Sequence, residues 1–172
     1  VFEKYNETYP KNFLKTTKPI YKHKNKIGIN KIINIKKNKY LVFEIFIEIG
    51  KSKKVNLIDT RTKALLRRNL NLIDNDFKKN KFFAKQFLEI LKSKYNLSSI
   101  LKTMKSLGIL QEYIPEFGEV VGQMQFDLFH VYTVDEHTFK VVRNMRQMKL
   151  YRHKEFVLEH ELINKIPKIE IL

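Results

Sequence analysis

A short acidic stretch followed by a histidine is the part of this chain best suited to bind a metal ion. Asp135, Glu136 and His137 are consecutive. An imidazole nitrogen can ligate a divalent metal while a neighbouring carboxylate orients the ring. His137 lies three residues after Val134 and four before Val141, so helical spacing places it near the predicted buried stripe. The residue types therefore allow a metal-ligand role for His137.

The same histidine has an explanation that needs no metal. His130 lies seven residues earlier, and no His-x-x-x-His or Glu-x-x-His pair adds a second ligand at helical spacing. A histidine here can also have both ring nitrogens satisfied by backbone groups or water. Spacing alone favours that structural role, so the sequence leaves both open.

Asp74 and Asp76 form the other pair of carboxylates that could do chemistry. Two aspartates one residue apart can hold two magnesium ions for nucleotidyl transfer. Here they stand between two predicted helices, and the five glycines are too scattered to form a phosphate-binding loop. We therefore interpret Asp74 or Asp76 as a helix N-cap. The chain has no cysteine, which excludes thiolate metal sites, cysteine nucleophiles and disulfides.

The helix that must position His137 has a clear start signal. Thr133 to Glu136 has the spacing of a capping box, in which the threonine caps the third amide and the glutamate reaches back. The helix is predicted to run to about Lys149. Its predicted buried face consists of residues at helical spacing, namely Val134, Thr138, Val141, Met145 and Met148. A last helix is expected from Glu155 to Lys165, ended by Pro167.

The residues from Leu57 onward have a helical pattern. Asp59 or Thr60 can cap a helix that runs to about Leu70. An amphipathic helix from about Asp76 to Lys94 is predicted from an apolar stripe made of Phe83, Phe87 and Leu91, with Ala84 and Leu88 beside it. The next helix has its apolar positions at Leu97, Ile100, Leu101, Met104 and Leu107. Gly108 supplies its stop, and Pro115 and Gly118 divide the following stretch into short turns.

The N-terminal third is different in composition and pattern. Residues 16–26 are expected to form a loop, and short strands are predicted by the alternating isoleucines Ile27, Ile29, Ile33 and Ile35. The run 40–49 is ambiguous: its composition favours a strand, whereas Glu44 and Glu48 lie four apart, as on one face of a helix. The expected fold is mainly α, a helical bundle with a small irregular or β-containing N-terminal part.

The net charge of +16 suggests an anionic partner such as nucleic acid. However, the cations are 28 Lys and only 6 Arg, whereas phosphate and base recognition rely on Arg. Lys, Ile, Asn, Phe and Tyr share A- and T-rich codons, so a drift in genome composition explains the bias. Lysine clusters such as 51–54 and 78–81 are interpreted as solvated faces. The stretch 106–139 has no Lys or Arg and six acids, so either cations were not tolerated there or the gap reflects chance and burial of an apolar segment.

One long motif points to a family. The segment from Val121 to His137 reads VGQMQFDLFHVYTVDEH, and it closely resembles the bifunctional uridylyltransferase/uridylyl-removing enzymes (GlnD) that modify the PII nitrogen-signalling protein. Weaker similarity covers residues 104–110 and 58–68, and only a loose likeness precedes Leu57. In that family the run near residues 41–49 is helical, which favours a helix there.

The resemblance implies a role for each part of the chain. Members of the family transfer UMP from UTP to a tyrosine of PII, remove it with an HD-type phosphohydrolase domain that uses a divalent metal (Mg²⁺ or Mn²⁺), and respond to glutamine. The chain then divides into a basic segment 1–56, a helical region 57–130 and the start of an HD domain at 131–172. His137 matches the first histidine of the HD metal set. A His-Asp pair is expected soon after residues 167–172, where the chain stops.

The resemblance also implies that this piece lacks most of the catalytic residues, so we expect it to be inactive alone. It begins with Val1 and has no signal sequence, and its most apolar run is too short and charged to span a bilayer, so we expect a cytoplasmic protein without a membrane partner. Two alternatives stay open. One is a basic helical nucleic-acid-binding module, and the other is a decayed, non-functional remnant.

Overall fold

We describe the protein from a computed structural model, which covers residues 18–124, 132–150 and 157–166. Their strands are β1 (Ile20–His23), β2 (Lys26–Ile29) and β3 (Leu57–Ile58). Their helices are α1 (Leu41–Gly50), α2 (Thr60–Arg68), α3 (Asn75–Lys79), α4 (Lys81–Leu91), α5 (Leu97–Leu107), α6 (Ile109–Tyr113), α7 (Pro115–Val120), α8 (Val134–Leu150) and α9 (Val157–Asn164). The predicted fold class, mainly α with a small β-containing N-terminal part, is confirmed. Within these ranges no helix has the length and apolar character that a bilayer crossing requires.

The three strands form one small sheet in the order β1-β2-β3. β1 pairs antiparallel with β2, and β3 pairs parallel with β2 through Ile27 and Ile58. The strand prediction is confirmed at Ile27 and Ile29, which are both fully buried. The expected loop over residues 16–26 is wrong where β1 forms. Because β3 joins this sheet, residues on either side of position 56/57 share one sheet and one core.

The strand predicted near Ile33 and Ile35 is wrong, because asparagine side chains turn the chain there. The side chain of Asn30 accepts a hydrogen bond from the amide of Ile32, at 3.3 Å. Asn34 accepts one from the amide of Lys36, at 2.9 Å. These local bonds stabilise turns in place of a ladder.

Helix α1 is the centre of the core, so the ambiguous run of residues 40–49 is a helix. Eight of its ten residues are buried, which explains its nearly continuous apolar sequence. Phe43 meets the rings of Phe77 and Tyr113 edge-on, with centroids 5.2 and 4.9 Å apart. The two glutamates lie on the polar face as their spacing predicted: Glu44 accepts from Gln86 and Glu48 from Lys22 and Lys51.

A buried polar network joins the sheet to α2. Asp59 is the N-cap of α2, as predicted, and accepts from the amide of Thr62 at 2.8 Å. Its other oxygen accepts from the hydroxyls of Tyr21, at 2.6 Å, and Thr62, at 2.8 Å. Asp59 is buried, and these bonds satisfy its carboxylate there.

The single helix predicted from Asp76 to Lys94 is two helices, because Asn80 interrupts it. Asn80 has an extended backbone, and its side chain caps α4 by accepting from the amide of Phe82 at 2.8 Å. The most deeply buried residues of α4 are Gln86 and Ile90, whereas the predicted neighbour Ala84 is exposed. The stop at Gly108 is confirmed, since this residue has φ +84° and follows α5 directly.

Candidate functional site

Helix α8, which carries His137, starts against a tight turn that follows α7. Gly122 in this turn has φ +76°, a backbone conformation that glycine adopts without strain. The amide of Val134 donates to the carbonyl of Gln123 at 3.0 Å, which ties the first residue of α8 to the turn. The amide of His137 donates to the carbonyl of Thr133 at 2.9 Å and closes the first helical turn.

Asp135 is the buried anchor of this helix start. Its carboxylate accepts from Nζ of Lys105 on α5 at 2.6 Å and from the amide of Gly122 at 3.0 Å. Burial raises the pKa of Asp135, but the hydrogen bonds from Lys105, Gly122 and the Thr133 hydroxyl outweigh it and lower the pKa to about 2. Asp135 is therefore ionised throughout the physiological pH range.

Glu136 does not act as the second half of the predicted capping box. Its two carboxylate oxygens accept from Lys102 at 2.8 Å and from Lys105 at 2.9 Å. These hydrogen bonds lower the pKa of Glu136, and the one from Lys102 has the largest effect. The acidic first turn of α8 therefore faces two lysines on α5, and both carboxylates are occupied by those lysines.

The buried face of α8 differs from the predicted one. Val134 and Val141 are exposed, at 38% and 43% of their surface. The face toward the bundle has Asp135 and Phe139, which are buried, with Val142 packed against the core. The predicted face left out Phe139 and Val142, and it did not anticipate the ion pair with Lys105 that places Asp135 against α5.

His137 consequently lies on the exposed side of α8, not near the buried stripe. Within the described ranges, no group of three or more His, Asp or Glu side chains could hold a metal ion. One imidazole cannot fix the coordination number or geometry of a metal, so these residues do not form a complete site. The role of His137 as a metal ligand stays a prediction, and His130 lies outside the described residues.

The other candidate residues have structural roles. Asp74 is the N-cap of α3, accepting from the amide of Phe77 at 2.8 Å, as the N-cap interpretation expected. Asp76 is exposed in the first turn of that helix. The lysines at 51, 53, 54, 79 and 81 are exposed, as expected for solvated faces.

Lys105 and Arg146 are the structurally important residues that were not predicted. Arg146 of α8 donates to the carbonyls of Leu91 at 2.9 Å and Lys92 at 3.1 Å, and also to that of Ser93. For Lys105 the sequence contains a signal: it is the last cation before the stretch 106–139 that lacks Lys and Arg, and that stretch contains its partner Asp135. No local pattern marks Arg146.

Comparison with known proteins places these elements in a wider context. A family model described as the third domain of the uridylyltransferase GlnD matches residues 20–113, more than half of the chain. A bifunctional uridylyltransferase/uridylyl-removing enzyme of Pseudomonas fluorescens is 38% identical over 134 residues, and one of Methylococcus capsulatus is 40% identical over 132. These matches cover 77% and 76% of this chain and 15% of each relative. No solved structure matches the chain.

Proposed function

This chain belongs to the GlnD uridylyltransferase family, and from that premise we propose that it is a segment of an enzyme that modifies the PII nitrogen-regulatory protein. Such an enzyme transfers UMP from UTP to a tyrosine of PII, and it removes the UMP by hydrolysing the phosphodiester bond to that tyrosine. The family match over residues 20–113 carries the proposal. Glutamine is the proposed effector of the whole enzyme, and the cytoplasm its proposed location.

Within that enzyme, the described residues have two proposed roles. The core built around α1 and α5 is the third domain, and α8 is the first helix of an HD-type phosphohydrolase domain. His137 on α8 is proposed as one ligand of its divalent metal, Mg²⁺ or Mn²⁺, which would activate water against the phosphodiester. Its exposed position supports this role, because residues from other parts of the enzyme can reach the imidazole.

We also propose that the isolated chain catalyses neither reaction, and two observations support this. Asp135 and Glu136, the carboxylates next to His137, are occupied by Lys102 and Lys105. Asp74, one of the two aspartates considered as magnesium ligands, caps a helix instead. Apart from His137, the catalytic groups of both reactions are therefore proposed to lie elsewhere in the enzyme.

The DNA on both sides of this coding segment tests the proposal. We expect one reading frame that continues past Leu172 into a His-Asp pair and encodes a nucleotidyltransferase domain upstream. Stop codons close to both ends of the segment would contradict it.

A biochemical test uses the isolated chain with uridylylated PII and Mn²⁺, and separately with PII, UTP and Mg²⁺. No UMP should be released or transferred, while the Pseudomonas fluorescens enzyme serves as the active control. UMP release by the isolated chain would overturn the claim that it is inactive.

A further inference from the structure

Helix α8 is held on the matched domain at two separate polar contacts. The first joins Lys105 on α5 to Asp135 and Glu136, and the second joins Arg146 to the carbonyls of residues 91–93. We propose that this polar clamp makes α8 and residues 20–113 one rigid unit, so that α5 sets the direction of the helix that carries His137. Lys105 and Arg146 would then be positioning residues for UMP removal, a consequence that rests on the function proposed above.

The first contact is an ion pair with a nearly inaccessible carboxylate. The Asp135 side chain is 2% exposed and that of Lys105 22%, and their charged atoms lie 2.6 Å apart. The Lys105 ammonium also lies 5.5 Å from the centre of the ring of Phe139, which is on α8 like Asp135. A contact this short to a carboxylate this inaccessible places the start of α8 directly against α5.

The second contact uses backbone groups that have no partner within their own helix. The last carbonyls of a helix lack intrahelical donors and carry partial negative charge. The Arg146 guanidinium donates to the carbonyls of Leu91 and Lys92, at 2.9 and 3.1 Å, and to that of Ser93. One side chain of α8 thereby caps the end of α4.

The two contacts lie at opposite ends of α5. The start of α8 meets the end of α5, and the later part of α8 meets the residues before α5, so the two helices run antiparallel. Lys105 is near the end of α5, whereas the carbonyls that bind Arg146 precede its start. Asp135 and Arg146 are three helical turns apart, roughly 16 Å along α8. A helix held at one point can pivot, whereas contacts this far apart fix its direction. Phe139, between them, packs against Phe117 with ring centroids 5.6 Å apart.

A distance measurement on the chain itself tests the clamp without any enzyme activity. The chain has no cysteine, so Arg68→Cys on α2 and Asn144→Cys on α8, both exposed, would be its only thiols. Spin labels on this pair report the position of α8 relative to the domain by double electron–electron resonance. We expect one narrow distance distribution in the parent pair.

Variants of the clamp give the deciding comparison. Lys105→Met with Arg146→Met should broaden or shift the distribution, and each single change should do so to a smaller extent. Lys105→Arg keeps the charge, so it should retain the narrow distribution even if the double variant does not fold. Lys102→Met, at the more exposed lysine that pairs with Glu136, is the matched control; it should leave the distribution narrow because the Lys105–Asp135 pair stays in place. A distribution unchanged by Lys105→Met and by Arg146→Met in folded protein would overturn the clamp, and so would Lys105→Arg broadening as much as Lys105→Met.

Activity in the whole enzyme tests the consequence for function. There, Lys105→Met should lower UMP removal by about 10- to 100-fold through misplacement of α8, while UMP addition stays unchanged. If the unmodified enzyme has neither activity, the proposed function fails. If it has both and Lys105→Met changes neither, only the positioning role fails.

Discussion

Lys105 and Asp135, thirty positions apart in the chain, form an ion pair across the α5–α8 interface with Nζ and Oδ2 2.6 Å apart. Lys105 lies within residues 20–113, which match the third domain, and Asp135 lies beyond them. The pair therefore connects that domain to the helix that carries His137. It also decides which face of α8 is buried.

Loss of this lysine should destabilise the folded chain. Lys105→Met leaves the Asp135 carboxylate buried without its cation, which costs about 3 kcal/mol in the free energy of unfolding. Lys102→Met removes a lysine that is 54% exposed, so it should cost no more than about 1 kcal/mol. Urea titrations of the two variants measure the difference. Equal losses in the free energy of unfolding would show that the buried Lys105–Asp135 pair contributes no more to stability than the exposed Lys102 pair.

The stability contributed by Asp135 should depend on pH in a defined window. The pKa of Asp135 is about 2 in the folded chain, below its ordinary value near 4 in the unfolded chain. The folded state therefore binds fewer protons, so this stabilisation is fully present above about pH 4 and is lost as the pH falls toward 2.

The variant Asp135→Asn isolates this effect from the other carboxylates. The difference in the free energy of unfolding between this variant and the unchanged chain should shrink by roughly 2 kcal/mol from pH 5 to pH 2. Asp76→Asn, at an exposed aspartate, serves as the control, and its difference in the free energy of unfolding from the unchanged chain should vary little with pH. A difference for Asp135→Asn that stays constant across this range would contradict the assignment.

Gly28 should tolerate no side chain, because it packs against the network around Asp59. A Cβ there would lie 1.7 Å from Oδ2 of Asp59 and 2.5 Å from the ring of Tyr21. Gly28→Ala must therefore break the Tyr21–Asp59 hydrogen bond or separate β2 from α2, with an expected loss of about 3 kcal/mol. Gly118→Ala in α7 meets its nearest atom at 3.4 Å, an ordinary contact, and should be close to neutral. Thermal unfolding of both variants checks this, and equal melting temperatures would show that the close packing at Gly28 is wrong.

The high positive charge should not make the chain a nucleic-acid-binding protein. Most lysines in the described ranges are exposed, and the sequence has only six arginines. We expect filter binding to duplex DNA only at low salt, with a steep decline as salt rises. Retention of a complex at physiological salt would favour the nucleic-acid alternative.

The sequence predicted best what depends on neighbouring residues. Asp59 and Asp74 cap helices and Gly108 ends α5, because each of these signals involves residues within one turn of the helix end. The spacing of Leu97 to Leu107 predicted the buried face of α5 correctly for the same reason. The motif that ends at His137 pointed to the family that the comparison shows.

Features that depend on distant partners could not be predicted. β3 has only two residues, and the residues that it pairs with in β2 lie 31 positions earlier in the chain. On α8, Val134 and Val141 share one helical face, and Asp135 and Phe139 share another. Hydrophobicity favoured the valine face as the buried one. The Asp135 face is buried instead because Lys105, on another helix, pairs with the aspartate.

The role of His137 in UMP removal is the central claim, and one substitution tests it directly. In the whole enzyme, His137→Ala should abolish manganese-dependent release of UMP from modified PII and leave UMP transfer from UTP unchanged. His23→Ala, at an exposed histidine on β1, is the matched control and should leave both activities intact. UMP release by the His137→Ala enzyme at the unmodified rate would contradict the account.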